Sequence, residues 1–119
     1  RKTPKNKLYG SPDVENIEKK ELDNYSKYTF YSDGKIWSKS TGNFLKISPN
    51  KKGYIRTGFI NDINEKKCLF IHRIIATCFI PNPENKPFID HINRIRNDNH
   101  VENLRWVRSQ ENANNRINL

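Results

Sequence analysis

The sequence predicts an α+β fold: a small antiparallel sheet plus a short helix, followed by a ββα unit. Three observations carry that expectation. Between residues 28 and 71, short β-forming runs alternate with turn formers. From His72 the apolar period changes from strand to helix, with Ile74, Ile75, Cys78 and Phe79 at i, i+1, i+4 and i+5 on one face. The last third then reads strand, long polar loop, strand and a weak helix. At 119 residues the chain has room for about one domain. With 34% hydrophobic residues and a mean hydropathy of -0.96, its core must be small.

Residues 1–24 are polar, contain Pro4, Gly10 and Pro12, and read as an N-terminal arm with room for a short helix within 14–22. Tyr28-Thr29-Phe30-Tyr31 and Ile36-Trp37-Ser38 flank the turn Ser32-Asp33-Gly34-Lys35, which predicts a hairpin. Thr41-Gly42-Asn43 breaks the chain before Phe44-Leu45-Lys46-Ile47, and residues 49–53 form a basic loop. A β-type run over 54–60, interrupted by Gly58, and another over 67–71 flank the turn 61–65. The helix follows, and Pro81, Pro83 and Pro87 end it and stretch the connector. Phe88-Ile89-Asp90-His91 and Leu104-Arg105-Trp106-Val107 read as strands around the turn-rich loop 92–100. Ser109 can cap a last helix carrying Glu111, Asn112 and Ala113, though Asn114 and Asn115 weaken it. The expected organisation is an arm over 1–24, a basic sheet-and-helix region over 25–80 and the ββα motif over 81–119.

The charge points to a partner. Twenty-two Lys and Arg against 13 Asp and Glu give +9, and a polyanion, most often nucleic acid, is what such a balance attracts. Residues 34–73 hold 9 basic and 2 acidic side chains, a net +7, so most of the excess lies there. Candidate backbone contacts in that stretch are Lys35, Lys39, Lys51, Lys52, Arg56 and Arg73, and Arg94, Arg96, Arg105 and Arg116 flank the last third as phosphate clamps. No run approaches the ~18 apolar residues of a membrane span, and Arg-Lys-Thr-Pro-Lys is followed by no apolar signal core. No membrane partner and an intracellular location, wherever its nucleic-acid target resides, are therefore expected. Cys68 and Cys78 lack C-x-x-C spacing and read as two buried, reduced thiols.

The chemistry concentrates in the last third. An Asp-His pair ends the first strand, Asn103 precedes the second, and Asn112 lies nine residues further on. Asp90 and Asn112 offer hard oxygens suited to Mg²⁺ or Mn²⁺. His91, alternating to the other face, can stay off the metal and act as general base on water. Asn103, with donor and acceptor in one side chain, can fix the imidazole directly or by pinning the loop.

These residues resemble the HNH endonuclease motif of the phage and intron-encoded homing type. The resemblance rests on Phe88-Ile89-Asp90-His91-Ile92-Asn93, Asp98-Asn99, Glu102-Asn103-Leu104-Arg105-Trp106-Val107 and Glu111-Asn112. Ile71-His72-Arg73-Ile74-Ile75-Ala76 with Phe79-Ile80-Pro81-Asn82-Pro83 is similar to the segment that precedes the motif, and residues 30–38 resemble the NUMOD-like DNA-binding sheet module often joined to it. The resemblance implies a ββα-metal nuclease that hydrolyses a DNA phosphodiester: His91 as base, Asp90 and Asn112 as metal ligands, Asn103 as the residue that orders the loop. Asn112 stands where the family's name has its last His, which favours Mg²⁺, and the zinc-binding Cys pairs of some members are missing, so no structural zinc is expected. One metal and one base imply a nick in double-stranded DNA by a monomer or weak dimer. The alternative is a catalytically inactive DNA-binding module built on residues 28–71; an RNA-binding role rests on charge and aromatics alone. His72 reads as a packing or phosphate-contacting residue, His100 as a solvated loop His, Trp106 as core, and Trp37 as core or base-contacting.

Overall fold

The computed structural model describes residues 8–47 and 53–109. Among the described residues the architecture is α+β, with small antiparallel sheets around one α-helix. Strands β1 (Lys19–Lys20), β2 (Tyr28–Tyr31), β3 (Ile36–Ser38) and β4 (Asn43–Phe44) form one sheet in that order. Strands β5 (Arg56–Ile60) and β6 (Lys66–Phe70) form a two-stranded ribbon, helix α1 (Ile71–Phe79) follows without a gap, and β7 (Phe88–His91) pairs with β8 (Leu104–Val107). The helix begins at Ile71, one residue before the expected start at His72.

The segment read as an arm is tied to the sheet from Tyr9 onward. Tyr9 N–H donates to Lys39 O at 2.7 Å, Trp37 Nε1 donates to Tyr9 O at 2.9 Å, and the Tyr31 hydroxyl donates to Pro12 O. No helix forms within 14–22; a bridge joins Val14 and Ile17, and Lys19–Lys20 adds an edge strand to β2. Sheet-edge hydrogen bonding outweighs the weak local helical preference there. Residues 1–7 of the expected arm and 48–52 of the basic loop lie outside the described residues.

The core joins all parts. Phe59 and Phe30 are fully buried, with the Phe59 ring 5.1 Å from Tyr28 and 6.1 Å from Phe30. Ile71, Ile74, Ile75 and Ala76 close it from the helix, and Leu104 brings in β8. Helix α1 thus packs on β2 as well as on β7 and β8, and it sets the spacing between the upstream sheet and the last third. Cys78 and Phe79, expected on the buried face, are only half buried; burial still pushes the Cys78 thiol up to about 11. Cys68 is exposed rather than buried, because the two-stranded ribbon presents one face outward. Among the described residues no helix is long and apolar enough to cross a membrane.

One turn of the upstream sheet reaches the last third directly. Gly34 has φ +92, accepts burial against Asn99, and a Cβ there would stand 3.0 Å from Asn99 O and 3.1 Å from Asn99 Cβ. Both the left-handed backbone and the close approach exclude a side chain. Gly34→Ala is expected to lower stability by more than ~1 kcal/mol, read as a lower urea midpoint with unchanged slope.

Candidate active site

Strand pairing places the Asp-His pair opposite Arg105 and Leu104. Asp90 is 2% exposed, and its Oδ2 accepts from Arg105 Nε at 2.9 Å. A buried carboxylate requires such a partner. Arg105, expected as a phosphate clamp, therefore spends one donor on Asp90 while its half-exposed guanidinium still reaches solvent. His91 faces other neighbours. Its Nε2 lies 2.9 Å from Asn99 Oδ1, and its ring stands 5.1 Å from that of His72 and 6.1 Å from Tyr54. Burial pushes His91 below the ordinary histidine value, with the Asn99 hydrogen bond and the charge of Asp90 acting against that shift. That direction favours the neutral imidazole, the form a general base requires.

Asn103 works on the loop between the strands. Its Oδ1 accepts from Asn93 N–H and its Nδ2 donates to Asp98 O, both at 2.8 Å, so one side chain clasps both ends of the turn. Asn93 reinforces the clasp through Asp98 Oδ2 at 2.7 Å and Ile95 N–H at 2.8 Å. Asp98 also accepts from His100 Nδ1 at 2.8 Å, and that contact holds its carboxyl below the usual value. The exposed His100 is thus anchored, not merely solvated. The backbone of Arg94 is left-handed at φ 66, which the tight turn demands.

An aromatic wall backs His91. Tyr54, Phe70 and His72 lie with ring centroids 5.4 to 5.9 Å apart, and two candidate phosphate contacts sit on that wall. Arg96 lies 4.9 Å over Tyr54 and Arg56 lies 5.5 Å over Phe70. Lys35 is exposed. Lys39 is instead mostly buried and paired with Glu21, and Arg73 is drawn to Pro87 O at 2.6 Å and over Trp106. Trp106 is partly buried and donates to Ile80 O at 3.0 Å; Trp37 packs on Phe44 at 5.0 Å. Asn112, Arg116, Lys51 and Lys52 lie outside the described residues.

His72 packs and does not contact solvent freely. Burial, with His91 and Arg73 adding repulsion, lowers its value to about 4, and its Nδ1 is buried without a hydrogen-bond partner among the described residues. An unfolded His72 binds a proton below pH 6.5 where the folded one does not. Its contribution is therefore intact above pH 6.5 and is lost as pH falls from 6.5 toward about 4. Urea melts should show His72→Phe losing about 2–3 kcal/mol less than the parent chain across that window.

Sequence reasoning placed Asp90, His91 and Asn103 in one neighbourhood, and the fold gathers them. Asn99, read as a turn former and as part of the motif, carried no expected role toward His91, and Tyr54, 37 residues before His91, has no local signal. The chemistry available here is proton acceptance by a neutral imidazole beside a buried carboxylate, under a rim of Arg side chains. Among the described residues no group of three or more His, Cys, Asp or Glu converges. Asp90, next to His91 in the chain, offers a hard anionic oxygen donor, and the charge of Asp98 also reaches His91.

A family model for HNH endonucleases matches residues 69–114. Two uncharacterized HNH endonucleases of Acanthamoeba polyphaga mimivirus are each 33% identical, over 76% and 92% of this chain and 27% and 26% of their own lengths. The DNA endonuclease I-HmuI of Bacillus phage SP01 is 29% identical over 85% of this chain and 58% of its own length. The solved structure of that HNH homing endonuclease, concerned with DNA binding and cleavage, superposes with a TM-score of 0.73 over 84% of this chain and 57% of that one. The chain thus spans about a quarter of the mimivirus relatives and over half of the phage enzyme.

Proposed function

We propose, from the match of residues 69–114 to the HNH endonuclease family, that this chain is a metal-dependent DNA endonuclease of the homing type that nicks double-stranded DNA. The observation that carries the reading is the buried Asp90-His91 pair, in which the carboxylate and the imidazole turn to different neighbours, with the charge of Arg96 reaching His91. His91 accepts the proton of the attacking water. Asp90 and, by the resemblance, Asn112 would hold Mg²⁺ or Mn²⁺. A hard oxygen set of this kind fits an ion that binds through one or two carboxylates and keeps water and substrate phosphate on its remaining positions. Such an ion, when bound, would supply stabilisation for the negative charge that develops on the phosphate and the leaving oxygen. Asn103 keeps the loop closed so that His91 and Asp90 hold their spacing. Arg56, Arg94, Arg96 and Arg105 compensate the backbone charge near the scissile bond, and Lys35 extends that contact along the upstream sheet.

One base and one metal support a single strand cut per encounter, by a monomer or weak dimer. Location follows the substrate, inside the cell that holds the target DNA. The test is conversion of supercoiled plasmid to nicked circle in Mg²⁺ and its loss in EDTA. Duplex binding that survives EDTA without turnover in any divalent ion would instead identify an inactive DNA-binding module.

A further inference from the structure

Asn99 faces the proposed base from the far side of the loop. Asn99 is 4% exposed and His91 6%, and their side chains meet through Asn99 Oδ1 and His91 Nε2 at 2.9 Å. An amide oxygen only accepts, so the contact is a hydrogen bond when Nε2 carries the proton. In a neutral imidazole the basic lone pair is then on Nδ1. We propose that Asn99 is a positioning residue that fixes His91 in the Nε2–H tautomer, which makes Nδ1 the nitrogen that takes the proton from water. The catalytic half of this inference rests on the nuclease reading; the tautomer half rests on geometry alone.

The fold holds Asn99 from both sides. Asn103 Nδ2 binds the carbonyl of the preceding residue, Asp98, at 2.8 Å. Two residues on, Val101 N–H donates to Ser32 O at 2.9 Å, and Gly34 lies against the Asn99 backbone itself. The turn between β2 and β3 therefore serves as a backstop for the loop that orients His91. This gives the upstream sheet a part in the site that does not depend on contact with DNA. It also gives Asn103 an indirect route to His91, through the backbone that carries Asn99.

The other end of the amide argues that this Asn is directed at His91. Asn99 Nδ2 is buried and has no hydrogen-bond partner among the described residues. A buried donor left unmade costs stability, so little net stabilisation is gained from an amide here over an apolar side chain of similar size. Asn99→Leu should consequently fold, keeping the volume while removing the acceptor. Asn99→Asp should restore it, since a carboxylate oxygen accepts from Nε2–H at the same place.

The experiment is ¹⁵N NMR of the His91 imidazole in the 119-residue chain, assigned by comparison with His91→Gln, together with plasmid nicking. The parent chain is expected to show a protonated Nε2 and an unprotonated Nδ1 at neutral pH. Asn99→Leu should mix the tautomers and lower the nicking rate by about 10–100-fold, the scale of losing an orienting partner, with duplex affinity unchanged. Asn99→Asp should recover the tautomer and most of the rate. A parent chain with the proton on Nδ1, or an Asn99→Leu chain with the parent tautomer, overturns the proposal. The expected tautomers in a parent chain that cuts no DNA would uphold the positioning role and overturn its catalytic half, separating this failure from that of the nuclease reading.

Discussion

His91→Ala is expected to lower the nicking rate by about 10²–10⁴-fold, the usual contribution of a positioned general base, while leaving binding to duplex DNA intact. The imidazole is 6% exposed and is pushed toward its neutral form by burial, so it is poised to accept a proton at neutral pH. Its removal leaves Asn99 Oδ1 facing a small cavity, and the chain should still fold because the core is centred on Phe30, Phe59 and α1. Single-turnover plasmid cleavage and a binding titration at the same salt separate the two effects. A lower affinity that accounts for the whole loss would remove His91 from the chemistry.

Asp90→Asn is expected to lower the Mg²⁺-dependent rate by on the order of 10²-fold or more, since a metal ion contributes several kcal/mol of charge stabilisation. The substitution is informative because it conserves shape. An amide oxygen can take the place of Oδ2 and still accept from Arg105 Nε, the contact that holds the carboxylate at 2.9 Å. What disappears is the negative charge that attracts a hard cation. The cleavage rate should therefore need more Mg²⁺ to saturate, while the thermal melt moves little. An unchanged Mg²⁺ dependence would take Asp90 out of the metal-holding role.

Much of the fold was legible in local chemistry. The Tyr28–Tyr31 and Ile36–Ser38 hairpin is written in β-formers around Asp33-Gly34, and α1, to within one residue, in the shift of apolar period from His72. Strand β1 was not legible, since nothing in Lys19–Lys20 favours a strand; its pairing with Tyr31 and Phe30 is decided by the neighbouring edge. Cys68 misled for a related reason. A two-stranded ribbon buries one face, and the run Lys66–Phe70 alternates too weakly to say which.

The site divides the same way. Asp90, His91 and Asn103 stand out because their spacing around one loop is a sequence property. The loop's own geometry is not: Asn99 reaches His91 only because Asn103 and the Gly34 turn hold its backbone. Arg105 reads as a free cation in sequence, yet cross-strand register sets it against Asp90. Lys39 likewise looked available until Glu21 and burial claimed it.

The most direct test compares three reactions on supercoiled plasmid: the parent chain with Mg²⁺, the parent chain with EDTA, and His91→Ala with Mg²⁺. Nicked circle is expected only in the first. Equal conversion by His91→Ala, or conversion in EDTA, would contradict a metal-dependent cut made with His91 as base.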